Sequence, residues 1–445
     1  MVIRGGRLID PASGTDGIRD IIIENDIIKE ISDPKDADNY DEKRGPVIDA
    51  EGLVVAPGLV DPHVHMRDPG QTHKEDLVSG SKAAARGGFT SVILMGNTVP
   101  PVDTPEILED ILKRGRKLPI HIYSCANVTR DMKGRDLTDF KALKKAGAVL
   151  MSDDGRPILS ESLMVRACWE ARERGLIISL HEEDPLYITD NGIDTAVART
   201  LSITGSDRQA EISMIERDIR IAKETGAELT VQHISTKEAV DLIRRARKNG
   251  VKIHAEATPH HFTLTSDAVL RYGSLAKMNP PLRDAADRDA IREGLSDGTI
   301  EMIATDHAPH TLDEKYAEMF KPGWADESDR DKSTEILRNT PSGITGLETA
   351  LSLAIRELVM TGILSLPQVI ACMSTAPAGI YGLNAGFIHE GGPADIVIFD
   401  DKEEWIFDHT LSKSANTPFM GETLPGCIHS VICGGKVIYD KDQDT

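Results

Sequence analysis

The sequence predicts an α/β protein: a (β/α)8 TIM-like barrel with a small β domain formed by both chain termini. Three observations predict it. Short apolar runs alternate with helix-like stretches through the middle of the chain, as parallel barrel strands and their crossover helices do. Paired short strands around tight-turn residues occupy both ends. The 445 residues, 40% of them hydrophobic, can fill one large barrel and an appendage. The expected division is residues 1–55 and 385–445 for the composite β domain, and 56–384 for the barrel.

At the N-terminal end, Val2-Ile3-Arg4 and Arg7-Leu8-Ile9 flank Gly5-Gly6, and Asp20–Ile23 faces Ile27-Ile28 across Asn25-Asp26. Both dipeptides tolerate the positive φ of a tight hairpin, so two hairpins are expected. The C-terminal end repeats the style, with Val431–Cys433 and Lys436–Tyr439 around Gly434-Gly435, preceded by Ala394–Phe399. Such strands cannot bury a face alone, so the two ends are expected to join in one sheet. The barrel strands are expected at Leu59-Val60, Phe89–Leu94, Ile120–Ser124, Ala148–Met151, Leu176–Leu180, Leu229–Val231, Val251–Ala255 and Glu301–Ala304. Helices are expected between them, among others at Glu75–Arg86, Glu161–Arg174, Glu211–Glu224 and Thr236–Lys248.

Composition narrows the function. With 51 basic and 72 acidic residues the net charge is −21, and no basic stripe is visible, which argues against nucleic acid. No run approaches the roughly 18 apolar residues of a membrane span, and no signal-peptide pattern opens the chain. The five cysteines, at 125, 168, 372, 427 and 433, include no CxxC and read as thiols of a reducing compartment. A soluble, cytoplasmic protein is expected.

Several barrel strands run into residues that bind metals. The first ends Asp61-Pro62-His63-Val64-His65, the fourth Ser152-Asp153-Asp154-Gly155, the fifth in His181, the sixth in His233 and the eighth in Thr305-Asp306-His307. His63 and His65, two apart, leave an extended strand on the same face. A barrel gathers its strand ends around one mouth, so these side chains can converge on an ion. Imidazole and carboxylate without thiolate suit Zn²⁺, with Mn, Co or Fe left open. A divalent ion makes water acidic near neutral pH, and a neighbouring carboxylate can shuttle the proton. Asp306 is the candidate; its bland reading is an N-cap, but Ala308-Pro309 follows it.

At these residues the chain resembles a known family. Gly58–His65 with Arg67-Asp68-Pro69-Gly70, together with Ala304–His310, resembles the amidohydrolase superfamily and, within it, the dihydroorotases that carry an HxHxRxPG signature. Asn97-Thr98 before Pro100-Pro101, the run Thr258–His261 and the run Met278–Arg283 add to the likeness, which spans nearly the whole chain. The resemblance implies interconversion of N-carbamoyl-L-aspartate and L-dihydroorotate in pyrimidine biosynthesis, with two Zn²⁺ per subunit. It implies one metal on His63, His65 and Asp306, a second on His181 and His233, and Asp154 as the bridge. Asp153 is the rival bridge, and with neither the site would hold one metal. The carboxylated lysine of other members has no counterpart here, because Lys144 and Lys145 precede the strand on a helix-like stretch.

For the substrate, the resemblance implies that Arg67, Asn97 and His310 hold the carboxylate that survives ring closure and that Asn279 bonds the ring amide. The planar fork of Arg67 suits a carboxylate. Two features depart from the pattern. Gly96 stands where the family has proline, and the charged stretch from Leu312 to Asn339 is longer than an ordinary connection. That stretch is expected to be partly helical and to end, at Pro341-Ser342-Gly343, against substrate through its backbone. The rival readings are a hydantoinase or allantoinase, and a non-catalytic scaffold for aspartate carbamoyltransferase. Self-association and association with that transferase stay open.

Overall fold

A computed structural model of the chain describes residues 1–34, 45–326 and 329–443. The chain opens with β1 (Val2–Asp10), β2 (Thr15–Glu24), β3 (Ile27–Ser32), β4 (Val47–Asp49) and β5 (Val54–Pro57). Asn25, at φ 57°, makes the tight turn between β2 and β3. Gly5-Gly6 does not form the expected hairpin. Strand β1 runs straight through it, and its register against β2 slips between Ile3 and Gly6. Gly5 takes a φ of 68°, and its N–H donates to the Asp20 carboxylate at 2.8 Å. A glycine pair serves a bulge as readily as a turn, and the pairing of Arg7 and Leu8 with Val54 and Val55 of β5 keeps β1 in line. The chain reverses instead at residues 11–14.

The barrel strands follow: β6 (Leu59–Val64), β7 (Phe89–Leu94), β8 (His121–Ser124), β9 (Ile178–Leu180), β10 (Leu229–Val231), β11 (Ile253–Ala257) and β12 (Met302–Ile303). They form two parallel runs, β6-β7-β8 and β9-β10-β11-β12. The fourth predicted strand is reduced to Met151, which bridges Ala126 on one side and Ile178 on the other and so links the two runs. A further bridge, Val64 to His307, joins the eighth strand end to the first. There the His65 N–H donates to the His307 carbonyl at 2.9 Å. Helices separate the strands with well-formed ends. Glu161–Arg174 starts on the Ser160 hydroxyl and stops at Gly175 in the left-handed region. Lys237–Lys248 starts on Thr236, and Leu77–Arg86 on Asp76.

The chain closes with β13 (Ile396–Ile406), β14 (Thr423–Cys433) and β15 (Lys436–Asp440). These pair with the opening strands in one sheet of order β15-β14-β13-β5-β1-β2-β3, with β4 beside β1. Its inner face is packed by Ile3, Leu8, Ile21, Val55, Ile396 and Ile432. The charged stretch after the eighth strand holds two short turns and the helix Arg330–Asn339. Among the described residues no helix is long and apolar enough to cross a membrane, and all five cysteines are free and buried.

Candidate active site

The strand ends place six side chains around one point. The first strand end carries His63 and His65, both buried. His65 Nε2 lies 2.9 Å from Asp306 Oδ1 and 3.4 Å from Asp154 Oδ2. His63 Nε2 lies 3.4 Å from Asp306 Oδ1 and 3.6 Å from Asp154 Oδ1. On the far side of Asp154, His181 Nδ1 is 3.6 Å from its Oδ1, His233 Nε2 is 3.9 Å from the same oxygen, and the two imidazoles face each other at 3.0 Å. Three groups thus have metal-ligand spacing: His63, His65 and Asp154; His63, His233 and Asp306; and Asp154, His181 and His233. Asp154 stands between the two histidine pairs.

Its neighbour is used differently. The Asp153 carboxylate accepts from the Val128 N–H at 2.8 Å, from the Thr129 N–H at 3.1 Å and from the Thr129 hydroxyl. It pins the loop after β8. Burial raises it to about 6 against those hydrogen bonds. Beyond the bridge at Met151 the chain turns, and there the Asp153 carboxylate is held by the loop while that of Asp154 reaches the mouth.

Two carboxylates that sequence reasoning missed orient the imidazoles. Glu256, at the end of β11, takes His63 Nδ1 at 2.6 Å, and Glu183 takes His181 Nε2 at 2.9 Å. A hydrogen bond on one ring nitrogen fixes which nitrogen is free for an ion. For His63 the free atom is Nε2, which is buried without a hydrogen-bond partner. Burial works against charge on His63, yet Asp306, Glu256 and Asp154 together hold it well above its usual value. Burial likewise opposes charge on Asp154, but His63 and its fellow histidines hold that carboxylate well below the usual range. His233 is driven well below its usual value by burial and by His181 and His63. The signal for Glu256 was its place one residue past the predicted seventh strand.

A cavity of about 190 Å³ opens over this cluster, lined by His65, Arg67, Asn97, Asp154, His181, His233, Asn279, Asp306 and His310, with Ser342 and Gly343. Every predicted site residue except His63 therefore touches one space. Arg67, at φ 53°, anchors Nε on the Pro309 carbonyl at 3.2 Å and brings its fork to 3.5 Å from His310 Nε2. Lys74, also missed from sequence, lies 3.4 Å from His310 Nδ1. Burial and the cations Arg67, Lys315 and Lys74 depress His310 to about 2 and keep it neutral. Lys74 is paired with Glu314 at 3.1 Å, so the positive charge this wall offers the mouth is that of Arg67, which is what an anion entering a chain of net charge −21 requires. Asn97 is engaged within the cluster: its Oδ1 accepts from His65 Nδ1 at 2.9 Å, and its Nδ2 donates to Asp154 Oδ2 at 3.0 Å. His260 and His261 are buried beneath, with His261 bonded to Thr258 at 2.7 Å.

The Amidohydrolase family matches residues 54–438. The chain is 45% identical over 441 residues to a dihydroorotase of Clostridioides difficile (strain 630), covering 99% of this chain and 100% of the relative. It is 44% identical to a dihydroorotase of Lactococcus lactis subsp. lactis (strain IL1403), over 99% of each. Among solved structures, an L-hydantoinase (dihydropyrimidinase) from Arthrobacter aurescens is similar with a TM-score of 0.85 at 25% identity, covering 99% of this chain and 96% of that one. A dihydropyrimidinase from Brevibacillus agri NCHU1002, at TM-score 0.81 and 22% identity over 99% and 95% of the two chains, shares the fold.

Proposed function

The chain belongs to the amidohydrolase family, and from that premise we propose that it is a dihydroorotase, interconverting N-carbamoyl-L-aspartate and L-dihydroorotate in pyrimidine biosynthesis. The observation that carries the reading is a single cavity in which a cationic wall, Arg67 beside His310, faces the His/Asp cluster. The wall suits a carboxylate, and the cluster suits a divalent ion. Full-length identity of 45% to a protein named dihydroorotase supports the same choice. The hydantoinase reading shares the fold, but its substrates need no such wall. The scaffold reading sits poorly with a complete set of ligand types. We assign the cavity to a cytoplasmic enzyme and place the barrel at residues 56–384.

The residues present fit two ions of the zinc class. His63 Nε2 is an orphaned buried nitrogen, and His181 and His233 turn ring nitrogens toward each other with no carboxylate between them. We assign His63, His65 and Asp306 to one ion, His181 and His233 to the other, and Asp154 to both. Bound there, such ions would supply Lewis acidity for the ring carbonyl and would make water nucleophilic near neutral pH.

The protein's own groups do the rest. Glu256 and Asn97 hold His63 and His65 in one orientation each. Asp306, on the eighth strand end, takes the proton of the attacking water and delivers it to the departing ring nitrogen; in cyclisation it reverses both transfers. Arg67 pairs with the ring-attached carboxylate, next to neutral His310, and Asn279 bonds the ring amide. Asn97 reaches that carboxylate from its seat between His65 and Asp154.

The test is kcat/KM for dihydroorotate and for dihydrouracil, which lacks the carboxylate, in wild type and Arg67→Met. A charged, partly desolvated contact is worth about 1.5–3 kcal/mol, so Arg67→Met should slow dihydroorotate at least about tenfold and leave dihydrouracil nearly unchanged. Equal slowing of both, or a wild-type preference for dihydrouracil, removes the carboxylate role.

A further inference from the structure

Asp306 holds its carboxylate in the mouth from a strained stretch of backbone. Its φ is 45°, in the left-handed region where a Cβ crowds the chain, so the fold around it has to keep it there. Both flanking residues are tied down. The Thr305 hydroxyl accepts from the His307 N–H at 3.0 Å, which closes the backbone around Asp306. The same hydroxyl donates to Asp61 Oδ2 at 2.5 Å, and the Thr305 N–H donates to Asp61 Oδ1 at 3.1 Å. On the other flank, the His307 imidazole accepts from the Gly346 N–H on Nδ1 at 3.3 Å and turns Nε2 toward Glu75 Oε2 at 3.4 Å.

Asp61 holds more than Thr305. Its Oδ1 also accepts from the His63 N–H at 3.1 Å, so one carboxylate grips the first and the eighth strand ends together. These ends meet at a seam: β6 and β12 lie in different parallel runs, and an isolated bridge, Val64 to His307, stands where a ladder would close the barrel. His63 and His65 lie on one side of the seam and Asp306 on the other. Asp61, Thr305, His307 and Glu75 are all buried, and none of the four is among the residues that line the cavity. A buried carboxylate is costly unless its oxygens are engaged. Those of Asp61 are engaged by groups of the two strand ends.

We propose that Asp61 and Thr305 are positioning residues for Asp306. The Thr305 hydroxyl, braced on the Asp61 carboxylate, clamps the Asp306 backbone so that its side chain meets His63 and His65 across the seam. This rests on the reading above, in which Asp306 is both a ligand and the proton carrier. Asp61 and Thr305 touch neither substrate nor ion and act through the strand ends they hold.

The experiment compares Thr305→Val, which keeps the shape and removes the hydroxyl, with Thr305→Ser, which keeps the hydroxyl. Asp61→Asn is the third variant; it keeps an oxygen for the two N–H groups but turns a donor toward the Thr305 hydroxyl. Zinc affinity is read by chelator competition, kcat and KM for dihydroorotate are measured at saturating zinc, and Tm is taken for every variant. Thr305→Val should weaken zinc about 10- to 100-fold, as loss of a group behind a ligand does. Its kcat should fall about 10- to 100-fold through misplacement of the proton carrier, while KM hardly moves because Arg67 is untouched. Asp61→Asn should act in the same direction, and Thr305→Ser should stay close to wild type in all three quantities. If Thr305→Val does not fold, Asp61→Asn against Thr305→Ser carries the same comparison. Wild-type zinc affinity and kcat in Thr305→Val or Asp61→Asn would overturn the proposal. So would a Thr305→Ser as impaired as Thr305→Val, or a lowered Tm as the sole change, since packing alone would then explain the cluster. Failure of the underlying reading looks different: wild type would not turn over dihydroorotate, while zinc affinity would still separate Thr305→Val from Thr305→Ser.

Discussion

Two clusters in this molecule share residue types and differ in what they can bind. At the barrel mouth, His63, His65, Asp154, His181, His233 and Asp306 converge with His63 Nε2 left over. At the barrel floor, where β8 begins, His121 meets Asp395 and Cys433 with ligand-like spacing. The floor is the roomier place, beside a cleft of about 710 Å³ against 190 Å³ at the mouth. Yet its atoms are already spoken for. His121 Nε2 pairs with Asp395 at 2.9 Å, the Gly434 N–H donates to the same carboxylate at 2.8 Å, and the Cys433 thiol points at the Thr90 carbonyl at 3.7 Å. Burial pushes that thiol far up, away from the thiolate a metal needs. Arg116, Lys117 and Lys436 also line the cleft. The difference is one of satisfaction. A binding centre is marked by ligand atoms held in place from behind and left open in front, and neither cavity size nor residue type reports that.

The largest effect should come from the residue that joins the two histidine pairs. Asp154→Ala should lose bound metal, read by elemental analysis of the purified protein, and turnover with it. His121→Ala should keep wild-type metal content, and Asp153→Ala should keep more than Asp154→Ala because its carboxylate holds a loop. Equal occupancy in wild type and Asp154→Ala would sink the distinction between mouth and floor.

Next comes the proton carrier. Asp306→Asn keeps an oxygen near His65 but cannot accept a proton, so turnover should fall by roughly 10²–10⁴. Near-normal rates at full metal content would assign the proton to another group.

A smaller effect tests the backing carboxylates, which the floor lacks for its histidine beyond Asp395 itself. Glu256→Gln removes the charge behind His63 while keeping an acceptor. Affinity for zinc, measured by chelator competition, should drop about 10- to 100-fold. An unchanged affinity would mean that packing alone orients His63.

The strand ends were legible because the barrel imposes one rule: residues closing parallel strands meet at the mouth. That rule brought His63, His65, Asp154, His181, His233 and Asp306 to one place from positions hundreds of residues apart. Asp153 against Asp154 stayed open in the sequence, since only the partners at Val128 and Thr129 show which carboxylate turns away. Glu256 and Glu183 escaped notice because an acid beside a strand end looks like any surface acid until its partner imidazole is placed. Lys74 and Lys315 escaped for a similar reason: a lysine is ordinarily solvated, and burial is a tertiary fact. The Gly5-Gly6 bulge was misread as a turn because glycine permits both, and the choice lies with β5, far along the chain. The fourth strand shrank to Met151 since its polar end turns at once into the mouth and the loop.

The smallest effect belongs to the floor and follows from its saturation. The hydrogen bond to Asp395 raises the His121 pKa, against partial burial. A folded pKa above the unfolded value of about 6.5 means that the stabilisation is fully present below that value and is lost as pH rises through the folded pKa. His121→Gln removes the titrating group and keeps a hydrogen-bonding side chain. The Tm gap between wild type and variant should therefore be widest near pH 6 and shrink toward pH 9. The His121 side chain is 43% exposed, so solvent screening limits the gap to about 1 kcal/mol or less. A gap that stays constant across this range, or widens with pH, would show that His121 is not charged by Asp395. The floor would then hold a neutral imidazole with a nitrogen to spare, and its contrast with the mouth would weaken at the very point where the two clusters look most alike.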